Sequence, residues 1–166
     1  MILGMSLSAF TTLHVVISLV AIVVGLAVVF GMFGGHAMAH WTALFLLATI
    51  LTSVTGFFFP AAKLLPSHIV GLISLAVLGV ALFALYSRRL AGSWRWVYVV
   101  TAVLALYFNV FVLVAQGFMK VPALNALAPT QAEPPFAIAQ GVVMLLFVVF
   151  GVIAVRKFYP ERLRAA

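Results

Sequence analysis

Five apolar runs follow one another along this chain of 166 residues, at about 9–31, 41–60, 67–87, 94–118 and 135–157. Each is long enough to cross a hydrocarbon layer about 30 Å thick as an α-helix, which takes about 20 residues. Only 7% of the residues are charged, where soluble domains carry about 25%. A soluble fold of this size leaves much of its surface in water and could not hide so much apolar side chain. The runs do not alternate as the strands of a membrane barrel do, and a helix satisfies its own backbone in lipid. The expected fold class is therefore all-α integral membrane: five transmembrane helices in a single bundle, one domain over residues 1–166.

The breaks between the runs make chemical sense. They read "GMFGGHAMAH", "PAAKLLP", "SRRLAGS" and "KVPALNALAPTQAEPP". Pro60 and Pro66 bracket a tight turn, and Gly34, Gly35 and Gly92 supply corners. The one long loop, 119–134, holds "PALNAL", where Pro122 opens a short surface helix and Pro129 stops it. The first residues carry no Lys or Arg. They lack the positive start of a secretory signal and are read as mature chain.

Charge sets the expected direction. Five spans put the termini on opposite sides. Arg88, Arg89, Arg95, Arg156, Lys157, Arg162 and Arg164 gather on one side, with Lys63 and Lys120 on the other. Basic residues collect on the cytoplasmic side, so the orientation is N-out/C-in, with the loop 119–134 periplasmic. Trp41, Tyr86, Trp94, Trp96, Tyr98 and Tyr159 fall at the same inner boundary, as interfacial aromatics do. The net charge of +7 thus serves topology and anionic lipid heads, and nucleic acid is not among the expected partners.

With direction set, every span brings a polar group to the outer half: His14, Ser53 with Thr52 and Thr55, His68, Asn109 with Gln116 and Lys120, and Gln140. Helical spacing groups them into stripes. These are His14, Ser18, Ala21 and Gly25 on the first span; Thr49, Ser53, Gly56 and Pro60 on the second. The third offers His68, Gly71, Leu75 and Gly79, and the fourth Ala102, Ala105, Asn109, Gln116 and Lys120. Small residues on such stripes let membrane helices approach closely. The stripes are expected to face inward around a polar pocket in the outer half, covered by the long loop with its acid Glu133.

The plain reading of this cluster is helix-to-helix glue. His14 argues for more, because an ionisable group inside a span marks a functional position. The leading expectation is a non-enzymatic membrane protein that binds a lipophilic ligand or serves as an accessory subunit of a membrane complex. One alternative is haem b held by His14 and His68, with Lys63 and Lys120 near the propionates, exchanging electrons with quinone. In a milder form a quinone itself binds, its carbonyls accepting from His14, His68 or Gln116. A small-solute carrier is a further alternative, although five spans do not halve into an inverted repeat. His36 and His40, four residues apart near Met32 and Met38, are the only residues to suggest a metal. Solvated loop histidines are the default there.

Other chemistries fall away. The chain has no Cys, which removes disulfides and thiolate sites. It has no Asp, and neither Glu133 nor Glu161 lies within a span. Proton and cation pumps depend on such intramembrane carboxylates. A Ser-His-Glu set through Glu133 has nothing else to support it, so no enzyme is read here.

The stretches "TSVTGFFFP", "LPSHIVGLISL", "GSWRWVYVVTAVLALYFNVFVLVAQ" and "KVPALNALAPTQAEPPFAIAQ" resemble a group of small bacterial multi-pass membrane proteins usually described as hypothetical. The likeness covers most of the chain. It implies a bacterial inner (cytoplasmic) membrane and transfers no catalytic or binding role. A looser likeness to small b-type membrane cytochromes stops at one haem, since His36 and His40 fall in a loop.

Overall fold

A computed structural model of the protein describes residues 2–60 and 66–160. Lys63, Glu161, Arg162 and Arg164, which entered the charge argument, lie outside the described residues. Ser6 begins the first helix, its Oγ accepting from Ala9 N at 3.2 Å, which satisfies one of the open backbone donors of the first turn. Helix α1 runs Leu7–Phe33, 27 residues, or about 40 Å at the usual rise. Gly35, at φ +77°, turns the chain into α2, Ala39–Gly56.

Helix α3, Pro66–Leu82, continues into a π-helical turn, Phe83–Ser87. Arg89 and Leu90 follow at φ of 49° and 62°, a left-handed conformation that costs non-glycine residues energy. Leu90 is buried in the core there, so packing holds the strained corner. Helix α4 is Trp94–Lys120. The predicted surface helix is present as α5, Pro122–Leu127. Helix α6, Pro134–Lys157, opens on two prolines, which a first helical turn tolerates because its N–H groups have no partner within the helix.

Five of these helices are long and apolar enough to cross a membrane, at the five predicted places. The second stops earlier than predicted. It ends at Gly56, and Phe57 to Phe59 form a turn. Large apolar side chains such as Val23, Leu47, Leu72, Val142 and Leu145 stand exposed in mid-helix, an arrangement suited to lipid and not to water.

Helix α4 touches every other helix. α1 packs mainly on α2, and α6 mainly on α4. The end of the bundle where α1 begins is here the upper end. Close packing lies toward the lower end, around Val28, Met32, Phe45, Leu78, Val99, Leu106 and Phe158. A Cβ added at Gly25 would sit 2.7 Å from both Phe45 Cε2 and Leu106 Cδ1. Glycine is therefore what lets α1, α2 and α4 meet.

Two expectations about faces are corrected. Tyr98 is not an interfacial anchor: it is 1% exposed, beside Phe158 at 6.0 Å between ring centroids. The interfacial argument placed it by sequence depth alone, and it lies on the buried side of α4. On α3 the buried residues are Ser74, Leu78 and Ala81, a face turned from the predicted stripe through Leu75 and Gly79. Gly79 is open, with nothing within 4 Å of an added Cβ.

Candidate functional site

The upper half of the bundle holds a partly open cavity of about 490 Å³ between α1, α2, α3 and α4. α1 and α3 flank it without packing closely on each other. Six of the seven predicted pocket residues line it: His14, Ser53, His68, Asn109, Gln116 and Lys120. The small residues Ser18, Gly56, Gly71 and Gly117 also form its walls. Short side chains at these positions hold four helices together while leaving a void, which bulky ones would fill.

Gln140 is the exception. It donates through Nε2 to Phe111 O at 3.0 Å and does not line the cavity. Helix α6 joins α4 on the face that carries Tyr107, whose ring lies 5.8 Å from that of Phe147. Tyr107 is two residues from Asn109, about 200° around the helix. A residue on α6 therefore cannot reach the void, whatever its depth. Nor does the long loop cover it, since none of residues 121–134 lines the cavity. The loop is tied back to α4, with Asn125 Nδ2 on Phe118 O at 3.1 Å and Gln131 Nε2 on Ala115 O at 2.7 Å. Glu133 accepts from the Thr130 hydroxyl at 2.8 Å.

The aromatic turn after α2 braces both cavity histidines. Phe59 meets the His14 ring edge to face at 5.1 Å, and Phe57 stacks on His68 at 5.6 Å and 15°. His14 Nδ1 lies 2.7 Å from Thr55 Oγ1, and Thr55 Oγ1 donates to Leu51 O at 2.6 Å. Other polar groups are engaged within the wall. Ser18 donates to His14 O at 2.7 Å, Ser53 to Ser74 Oγ at 3.3 Å, and Asn109 to Thr49 Oγ1 at 3.1 Å.

Thr52 differs. Its Oγ1 is buried at the cavity wall and has no hydrogen-bond partner among the described residues. An unmade bond of that kind costs about 1–3 kcal/mol. Lys120 adds a positive charge to the lining, and the one acid among the described residues, Glu133, is outside it.

Sequence reasoning placed Thr52 in the outer-half polar cluster without carrying it into the pocket, and did not single out Ser74. Ser74 was legible as the i+3 neighbour of Gly71, had the α3 stripe been drawn through 71, 74 and 78. Depth put Thr52 in the cluster but could not rank it, because three of the four residues from 52 to 55 are hydroxylic.

The metal suggestion has no support in the geometry. His36 sits in the turn before α2 and His40 within its first turn, so they do not share a helical face. No group of three or more His, Cys, Asp or Glu is placed to hold a metal among the described residues.

Fold and site together define a bundle of five helices long and apolar enough to cross a membrane, with a partly polar cavity at one end. Comparison with protein families, with characterised proteins and with solved structures found no match.

Proposed function

We propose that this chain is a multi-pass protein of a bacterial inner membrane, N-out/C-in, whose outer-half cavity binds a lipophilic ligand with a polar head. The observation that carries this reading is the cavity itself. It is about 490 Å³ in volume, mostly apolar, with a few convergent polar groups, which is the usual make-up of a small-molecule site. Helix glue alone needs polar contacts but no void. The cavity thus favours ligand binding over a purely accessory role in a larger complex. Arg88, Arg89, Arg95, Arg156 and Lys157 at the lower end, against Lys120 at the upper, support the orientation.

The test is extraction of protein purified in mild detergent, with mass spectrometry of the organic phase. A defined lipophilic molecule is expected at fixed stoichiometry. It should be lost in Ser18→Phe, which fills the void, while a variant on the lipid-facing side such as Val142→Phe keeps it. Equal recovery from wild type and Ser18→Phe would remove the reading.

Haem b between His14 and His68 is a second reading, linked to quinone. It is favoured by the two imidazoles lining one cavity, each braced by a phenylalanine. After haem-replete expression it requires a Soret band in the purified protein that disappears in His14→Phe. Colourless protein ends it.

A further inference from the structure

The hydroxyl of Thr55 decides which proton His14 carries. That hydroxyl has one hydrogen, and at 2.6 Å it is committed to Leu51 O; a weaker geometry toward Thr52 O, at 3.2 Å, also lies along its own helix. Toward His14 only its lone pairs remain. The 2.7 Å contact is therefore a bond from His14 Nδ1–H to Thr55 Oγ1. A neutral imidazole carries one N–H, so Nε2 is left as an acceptor, and no hydrogen bond reaches it among the described residues.

This bears on one of the three donors expected for a quinone carbonyl and leaves His68 and Gln116 aside. A quinone carbonyl cannot accept from a neutral His14 held in this way, because both would present lone pairs. The group that fits must bring its own proton. Thr52 Oγ1 supplies the other half. Its neighbours Thr49 and Thr55 each donate to the carbonyl four residues back, whereas Thr52 makes no such bond and remains unpaired at the same wall. A hydroxyl in the cavity would donate to His14 Nε2, and a rotation of the Thr52 side chain, whose Oγ1 is buried as the structure stands, would let the same oxygen accept from Thr52.

We infer that the ligand is a lipophilic alcohol or phenol, whose hydroxyl donates to His14 Nε2 and accepts from Thr52 Oγ1, with its apolar body along α1 and α4. This rests on the ligand-binding reading above and narrows it. A quinol and an isoprenoid alcohol share this chemistry, and the experiment tells them apart.

Binding would be measured in detergent for three matched pairs: decylubiquinol and decylubiquinone, farnesol and its methyl ether, 4-nonylphenol and 4-nonylanisole. Wild type is compared with His14→Phe in the same micelles, which cancels the difference in partitioning. For at least one pair the hydroxyl member should bind about tenfold more tightly in wild type, the size expected of one well-made hydrogen bond. That preference should collapse in His14→Phe and shrink in Thr55→Val. The farnesol pair responding alone identifies an aliphatic alcohol. Response of the quinol and phenol pairs identifies an aromatic one. Equal binding within every pair overturns the inference and leaves the lipophilic reading in place. No binding by any probe overturns both. Nitrogen-15 NMR of the His14 ring tests the tautomer without a ligand. Protonated Nδ1 with bare Nε2 is expected, and the reverse assignment overturns the inference.

Discussion

Asn109 Nδ2 donates to Thr49 Oγ1 at 3.1 Å, joining α4 to α2 at the inner end of the cavity. Both residues are buried. Thr49 donates its own hydroxyl hydrogen bond to Phe45 O at 2.8 Å, so its oxygen is free to accept. Across membrane helices such bonds contribute about 0.6 kcal/mol, up to about 1.7. A double-mutant cycle of Asn109→Ala and Thr49→Val, read by unfolding in micelles, should give a coupling in that range. A coupling of zero would mean that the pair is only adjacent.

Glycines 25 and 79 should respond oppositely to alanine. At Gly25 the new methyl meets Phe45 and Leu106 at 2.7 Å, and overpacking of that kind costs about 1–3 kcal/mol. At Gly79 nothing lies within 4 Å, and replacing a mid-helix glycine gains up to about 1 kcal/mol in helix propensity. Melting temperatures of the two variants in one detergent decide this. If Gly79→Ala is as damaging as Gly25→Ala, the close approach at Gly25 is not what sets the packing.

Arg95 closes the lower end of α6. Nη1 donates to Val155 O at 2.7 Å and Phe158 O at 2.8 Å, and the guanidinium lies 3.9 Å from the centre of the Tyr159 ring. Nη2 meanwhile donates to the Tyr159 hydroxyl at 3.2 Å, so the contacts are spread over two nitrogens of a flat cation, a reach that lysine's single ammonium lacks. Arg95→Lys should show most of the loss seen in Arg95→Ala, about 1.5–3 kcal/mol for a charged hydrogen bond. The loss should appear as faster amide exchange in the last turn of α6. Lysine that fully rescued exchange would show that charge alone suffices.

The turn before α6 should loosen in acid. Desolvation pushes the Glu133 carboxyl upward, but bonds from the Thr130 hydroxyl and from backbone N–H groups outweigh it and hold it below the usual carboxylate range. A lowered folded pKa means that the carboxylate supports the turn above the unfolded value, and that this support goes as pH falls through the folded one. Protection of the amides across 130–136, taken relative to their intrinsic exchange at each pH, should therefore fall on acidification below the ordinary Glu range. In Glu133→Gln that protection should be low at every pH. An unchanged acid response in that variant would point to another group.

The helices were legible in the sequence because their cause is local. Runs such as 67–87 are apolar but for a few scattered polar residues, and Gly34, Gly35 and Pro122 punctuate where the chain turns. The cavity was legible in part. His14, Ser53, His68, Asn109, Gln116 and Lys120 could be grouped from depth and helical spacing alone, once direction was set by basic residues. Gln140 passes the same test of depth and still lies elsewhere, because depth says nothing about which side of α4 receives α6. Tyr98 failed for the same reason.

What the sequence alone determined is therefore one-dimensional: five helices, their lengths, and how far along each the polar groups fall. Apolar length and backbone self-satisfaction are properties of a segment, and no neighbour is needed to set them. The tertiary structure decided what depends on rotation about each helix axis. It put α6 behind Tyr107, turned Ser74 inward, and brought Thr55 to His14. Those choices follow from which side chains interlock, and lipid, being as apolar as the helices, exerts no pull that a pattern of hydrophobic residues would reveal.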